Sequence, residues 1–332
     1  MRALMVALAV PAICLVLAAG AAAQSIGPLE TTLAVAGDVA CDPDLAPDPL
    51  GCREAQTAGL VSAAHPDWVI AAGDLQYDSG VLDDFQAGYD AAWGGFKSTT
   101  LPVPGNHEYN TLGAAGYYAY WGATAGSPSE GWYAKRVGSW LILALNSNCA
   151  EIGGCSAASP QGQWLQATLA ASDAPCQLAV WHHPRFSSGA HGDNVDVQPL
   201  WDLLQTYRTE VVVAGHDHEY ERFAPMLGDG TVSQAGLHSF VIGTGGIGLR
   251  DFATVRGGSE ERVKKFGIGV IELHANGWVE EFRAIDGTVY PDGAEHECAG
   301  VVGATAVSTG AAGDAAVAAG ATASVTKVRV AR

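Results

Sequence analysis

The sequence predicts an α/β fold. Three observations carry this: five short apolar runs that each end on Gly or His, stretches of helical composition after the runs, and a strand-rich final third. LAVAGD (33–38), WVIAAGD (68–74) and LPVPGNH (101–107) each read as a buried strand running into a tight turn. Glycine at these turns lets the backbone bend where a Cβ would clash, and the next side chain projects from the carboxyl end of the strand. CQLAVWHH (176–183) and EVVVAGHDH (210–218) repeat the pattern with imidazoles.

Helices are expected over 53–64, 82–93, 160–172 and 197–207. After residue 218 the pattern changes to strands in LHSFVIGTGG (237–246), GIGVIELHA (267–275) and GWVEEFRAI (277–285), with Asn276-Gly277 as the hairpin turn between the last two. Two packed sheets with outer helices fit this distribution. A single domain is expected over 30–298, and no internal repeat is visible.

The ends read differently. Residues 1–23 have the form of a secretory signal: Arg2, an apolar stretch over 4–19, and Ala21-Ala22-Ala23 before Gln24. The apolar stretch is short for a membrane span. Residues 299–332 are mostly Ala, Gly, Val, Thr and Ser with no aromatic, so a disordered low-complexity tail is expected there. The expected location is secreted, extracellular or periplasmic. Beyond Cys14 the chain carries Cys41, Cys52, Cys149, Cys155, Cys176 and Cys298. An even number in an exported chain favours disulfides, and local spacing pairs Cys41 with Cys52 and Cys149 with Cys155, leaving Cys176 with Cys298.

The formal net charge is −18. That argues against nucleic acid and anionic membranes as partners, which both need a basic surface. The expected partner is a small substrate.

The five turns carry GDVA (37–40), GDLQYD (73–78), GNHE (105–108), WHHP (181–184) and GHDH (215–218). Together they supply carboxylates, an amide, a phenol and imidazoles, the donor types of a two-metal hydrolase. The strand order places Asp38, Asp74, Asn106, His107, His182, His216 and His218 on one sheet edge, where α/β proteins bind ligands.

This set of motifs resembles the calcineurin-like metallophosphoesterases. Tyr77, three residues after Asp74, and GHDHEYER (215–222) make it most similar to their purple acid phosphatase branch. The first motif departs from that branch, with Ala40 where GDxG is usual. The resemblance implies a four-layer α/β/β/α sandwich of two mixed β-sheets flanked by helices. It implies a metal pair with Asp74 as the bridge: Asp38, Asp74, Tyr77 and His218 around one ion, and Asp74, Asn106, His182 and His216 around the other. The phenolate and carboxylates of the first set suit Fe(III); the second set suits Zn(II), Mn(II) or Fe(II).

The implied reaction is hydrolysis of phosphate monoesters by a metal-bound hydroxide, as in an acid phosphatase. His107 is the first candidate to protonate the leaving group and His191 the second. A phosphodiesterase or nucleotide hydrolase on the same centre is the alternative, and a non-catalytic binding protein on this scaffold is a third reading. His183 competes with His182 as ligand. Glu108 and Asp78 adjoin ligands and are expected to support them. Arg185 and Arg222 are expected to pair with surface acids, and His65, His238, His274 and His296 to be structural.

Overall fold

The computed structural model describes residues 26–44, 52–128 and 130–300. The expected leader at 1–23 and the tail from 301 to 332 lie outside the described residues.

Two seven-stranded mixed sheets are formed among the described residues. The first contains β1 (Leu29–Ala36), β2 (Trp68–Ala72) and β3 (Thr100–Val103), joined by β11 (Gly267–His274), β12 (Gly277–Ala284), β13 (Val289–Pro291) and β14 (His296–Glu297). β1, β2 and β3 run parallel, while β11 lies antiparallel to β1 and β12 antiparallel to β11. The second sheet contains β4 (Tyr133–Val137), β5 (Trp140–Ala144), β6 (Cys176–Val180), β7 (Val211–Ala214), β8 (Tyr220–Met226), β9 (Leu237–Ile242) and β10 (Ser259–Val263). In it β5, β6, β7 and β9 are parallel neighbours. The first sheet therefore carries three parallel strands at one edge and the second four parallel strands at its centre.

Alternation along the strands builds the layers. Leu33, Val35, Ile70 and Ala72 face the second sheet and pack with Ile142, Leu178, Val180, Val211, Val213, Phe240 and Ile242. The intervening Ala34, Ala36, Val69 and Ala71 face outward onto α1 (Glu54–Ala64), α2 (Leu82–Ala87), α3 (Tyr89–Trp93) and α4 (Ala115–Trp121). Small residues on that face let Phe85, Tyr89, Trp93 and Tyr117 approach the sheet, each fully buried. Burial of such a side chain contributes roughly 1.5–3 kcal/mol. On the far side Leu143, Ala179, Val212 and Val241 meet α5 (Pro160–Ala171) and α6 (Gln198–Thr206) through Leu165, Leu169, Leu200, Trp201 and Leu204. The four-layer α/β/β/α sandwich is present.

The expected helix over 82–93 is two helices. Gly88 breaks it, because a Cβ there would lie 2.4 Å from the Gln76 side chain, which accepts the Tyr89 N–H at 2.8 Å. The expected Asn276-Gly277 turn is displaced by one residue. His274 pairs directly with Gly277, so Ala275 and Asn276 form the loop. Gly277 is a strand residue, and a Cβ on it would meet Ile26 and the His296 carbonyl at 2.4 Å. Close packing, not turn geometry, requires glycine there.

All three expected disulfides form: Cys41–Cys52, Cys149–Cys155 and Cys176–Cys298. The last spans 122 residues and ties the start of β6 to the end of the described chain. Closing so long a loop is worth on the order of 4–5 kcal/mol in the chain-entropy view. Among the described residues, no helix is long and apolar enough to cross a membrane.

Candidate metal centre

The parallel strands of both sheets deliver their motifs to one place. β1 ends at Ala36 and the chain turns through Gly37 into Asp38; β2 ends at Ala72 and turns through Gly73 into Asp74. Asp38, Asp74 and His216 have φ of 58°, 50° and 72°, a left-handed conformation that side chains rarely adopt. Such strain gathers at functional sites, where the surroundings hold it in place. Here it turns each donor back over the sheet edge.

Two glycines admit the side chains. A Cβ on Gly73 would lie 2.5 Å from the His182 ring, and one on Gly105 would lie 2.1 Å from the Asp74 carboxylate. Asp74 and His182 reach each other only because both positions lack a side chain.

Asp38 and Asp74 are almost wholly buried, at 0% and 1% exposure. The Tyr77 hydroxyl donates to Asp38 Oδ1 at 2.9 Å and to Asp74 Oδ2 at 3.1 Å, and lies 3.2 Å from His218 Nε2. His182 Nε2 meets the same Asp74 Oδ2 at 3.1 Å and Asn106 Oδ1 at 3.2 Å. His216 Nδ1 is 3.2 Å from His182 Nε2, and its amide donates to Asp38 Oδ2 at 2.7 Å. The structure thus brings together Asp38, Asp74, Tyr77, Asn106, His182, His216 and His218.

Backbone carbonyls orient the rings. His182 Nδ1 lies 2.9 Å from the Ala72 carbonyl and His218 Nδ1 2.7 Å from that of Gly248. A carbonyl only accepts, so Nδ1 carries a proton and Nε2 is the atom turned into the cluster. His107 Nδ1 is likewise 2.7 Å from the Asp78 carbonyl, leaving its Nε2 4.0 Å from Asp74 Oδ2. The His107 ring lies on Tyr77, with 4.1 Å between centroids.

Buried charge defines the electrostatics. Burial opposes ionisation of Asp74, but the adjacent His182 and His107 outweigh it and hold the carboxyl far below its usual range. Burial opposes a charge on His182, yet Asp74 pulls it up to about 9. Burial, with His182 and His183 beside it, holds His216 far below the usual imidazole range. Burial, then Asp38 and Asp74, push the Tyr77 phenol well above 10. Two buried carboxylates with no lysine or arginine among the described residues hydrogen-bonded or ion-paired to either one require positive charge. Metal ions fit this demand. The donor atoms of Asp38, Asp74 and His182 lie within 4.8 Å of one another, as do those of His182, His183 and His216.

Glu108 holds two of the turns together. Its buried carboxylate accepts the amides of Asp74 at 3.0 Å, Leu75 at 2.8 Å and Gly105 at 2.6 Å. Burial and the Asp74 charge raise it to about 7 against those N–H donors. Asp78 contributes its carbonyl, while its carboxylate is 3.2 Å from His107 Nδ1. Ala40, the departure in the first motif, is buried and bridges to Gln76.

The His191 ring lies against His216 in a tilted contact, with 4.1 Å between centroids. Its Nδ1 bonds Asp217 at 2.8 Å and its Nε2 takes a hydrogen bond from Arg250 at 2.7 Å. Asp217 and Arg250 were not anticipated from sequence, nor was Ser147, whose hydroxyl accepts the amides of His182 and His183. His183 Nδ1 faces that same hydroxyl at 2.8 Å. Arg185 pairs with the exposed Asp193 at 3.8 Å, as expected, and although buried it also donates to the Gly228 carbonyl and Gln198. Arg222 pairs with Asp292 and Glu260, away from the cluster. A cavity of about 590 Å³ beside Trp278 and His238 contains none of the motif residues; it lies at the opposite ends of β7 and β9.

A family model described as calcineurin-like phosphoesterase matches residues 32–220, which include Asp38, Asp74, Tyr77, Asn106, His107, His182, His191, His216 and His218. The chain belongs to this family. Among other calcineurin-like phosphoesterases and similar proteins, an uncharacterised protein of Mycobacterium tuberculosis is 31% identical over 151 residues, 39% of this chain and 28% of its own length. Purple acid phosphatase 15 of Arabidopsis thaliana is 27% identical over 219 residues, 54% of this chain and 40% of that protein. The chain therefore spans less than half the length of these relatives. A purple acid phosphatase from yellow lupin seeds shares the fold with a TM-score of 0.63 at 19% identity, over 80% of this chain and 53% of that one.

Proposed function

We propose that this calcineurin-like phosphoesterase is an exported, metal-dependent hydrolase of phosphate monoesters, similar in action to an acid phosphatase. The observation that carries the reading is the double engagement of Asp74. One carboxylate oxygen meets Tyr77 of the Asp38–Tyr77–His218 group and His182 of the Asn106–His182–His216 group. A carboxylate shared by two donor sets is what a binuclear site needs. Asp38, Asp74, Tyr77 and His218 would hold one ion, and Asp74, Asn106, His182 and His216 the other.

When bound, a metal pair supplies Lewis acidity to the phosphoryl oxygens and activates water. The protein supplies the rest. Its buried carboxylates retain the ions, and carbonyl-anchored Nδ1 atoms fix the direction of each imidazole. His107 Nε2, aimed at Asp74 from the cluster edge, can deliver a proton to a leaving alkoxide. His191, tied to Asp217 and Arg250, lies against His216 with the guanidinium beside it, a pair suited to the charge of a phosphoryl group.

Tyr77 favours Fe(III) in the first set. Burial and two neighbouring carboxylates oppose a phenolate there, so a highly charged ion is what would stabilise one. Zn(II), Mn(II) or Fe(II) suits the imidazole and amide set. Three disulfides support export.

The test is metal-dependent turnover. p-Nitrophenyl phosphate should be hydrolysed by the purified protein, hydrolysis should stop on chelation, and metal should restore it. A protein that binds metal and cleaves bis-p-nitrophenyl phosphate but not the monoester would reverse the substrate assignment.

A further inference from the structure

A cavity of about 330 Å³ opens beside Asn106 and His183, so it adjoins the candidate centre directly. Its remaining wall includes Tyr109, Asn148, Glu151, Asn194 and Asp196, and no lysine or arginine among the described residues lines it. Glu151 and Asp196 are exposed to the solvent of the cavity, and no cation is ion-paired with either one among the described residues. The nearby guanidinium of Arg250 lies against His191, outside this wall.

The wall is fixed in advance. The Cys149–Cys155 disulfide closes the loop that carries Glu151, and the Glu151 amide donates to the Asn148 carbonyl at 2.9 Å. Asn148 Nδ2 donates to the Pro104 carbonyl at 3.1 Å, just before the GNHE turn. Asn194 Oδ1 accepts the Asp196 amide at 2.9 Å, while the Asn194 amide donates to the Pro184 carbonyl at 3.0 Å. A pre-formed wall keeps its charge discrimination, because it cannot relax around the wrong ligand at little cost.

We propose that this cavity receives the leaving alcohol and selects esters in which that alcohol carries a positive charge, the amino-alcohol phosphates. Esters of anionic alcohols and polyphosphates are disfavoured. The inference rests on the phosphoesterase reading above and adds the substrate class. The phosphoryl group sits at the metal donors, and the alcohol extends past Asn106 toward Glu151 and Asp196. Each unit of charge on the alcohol then meets two carboxylates carried on a hydrogen-bonded backbone, an effect of roughly 3- to 10-fold in affinity at a surface cavity. The side-chain amides and the Tyr109 hydroxyl provide neutral hydrogen-bonding partners that tolerate hydroxyls on the same alcohol.

Two phosphonates that cannot be hydrolysed separate this from differences in leaving-group reactivity. Calorimetry on the metal-loaded protein at low salt compares 2-aminoethylphosphonate, which is cationic at its far end, with 3-phosphonopropionate, which is anionic there. The cationic ligand should bind at least about 10-fold more tightly, with a preference that shrinks as salt is added. In the Glu151→Gln/Asp196→Asn double variant the preference should fall by at least about 10-fold, because the two ligands differ by two units of charge. Equal binding of the two ligands, or a preference that the double substitution does not move, overturns the inference while p-nitrophenyl phosphate turnover leaves the phosphoesterase reading standing. If the metal-loaded protein neither binds a phosphonate nor cleaves an ester, both fail together.

Discussion

Glu108 accepts the backbone N–H of Asp74 at 3.0 Å. It also takes the amides of Leu75 and Gly105, so one buried carboxylate fixes the turns after β2 and β3 at once. Those turns carry Asp74 and Asn106. The relationship explains how two loops separated by about thirty residues of sequence hold their donors in register, and it makes Glu108 a positioning residue without contact to substrate.

Glu108→Gln replaces one accepting oxygen with a donor that faces backbone N–H groups. Loss of a buried, charge-assisted hydrogen bond costs about 2–3 kcal/mol. Thermal melting should show a lowered Tm, and turnover should fall by roughly 10–100-fold as Asp74 loosens. Wild-type melting together with wild-type turnover would remove Glu108 from this role.

His107→Ala should lower kcat by roughly 10²–10⁴ while metal content stays at the wild-type level. p-Nitrophenolate leaves without help, so its ester should lose less rate than an alkyl phosphate. An equal loss for both esters would show that His107 does not protonate the leaving group, and loss of metal would make it a ligand.

Tyr77→Phe removes the hydroxyl shared by Asp38 and Asp74. With Fe(III) in the first set, the wild-type protein should absorb in the visible through phenolate-to-iron charge transfer, and the variant should be colourless with most of its metal retained. A colourless wild-type protein that is active with two divalent ions would place Tyr77 in the cleft wall.

Much of this was legible in the sequence. Each strand that delivers a donor announces itself as an apolar run into Gly or His, because a strand buried on both faces must be apolar and its exit must turn sharply. Asp38, Asp74, Tyr77, Asn106, His182, His216 and His218 meet where that reading placed them. What stayed hidden depends on contacts between distant segments. Ser147 follows β5, a strand with no metal donor at its end, so nothing local marks it. Arg250 reaches His191 across 59 residues, and Asp217 passes for a spacer between His216 and His218. Gly277 was misread because a glycine needed for packing against Ile26 looks, in sequence, like one needed for a turn.

Glu210 sets a pH dependence remote from the metal donors. It is 9% exposed, and burial raises it from 4.5 to about 7 against the Ala299 amide and Arg208. The folded state therefore holds this proton more tightly than the unfolded state. Stability declines as pH rises from 4.5 to about 7, and the cost is complete above that. Glu210→Gln keeps an acceptor for the Ala299 N–H and removes the ionisation. Its Tm should exceed the wild-type value by a few degrees at pH 8, at roughly 2–4 °C per kcal/mol, and match it at pH 4. An equal shift at both pH values would contradict the assignment.

Asp74 is proposed to be shared by two ions. Elemental analysis of the purified wild-type chain and of Asp74→Asn tests it most directly. A bridged pair requires about two metal ions per wild-type chain and loss of both sites' occupancy together in the variant. A wild-type chain that holds a single ion, or a variant that keeps the full wild-type complement, would contradict it.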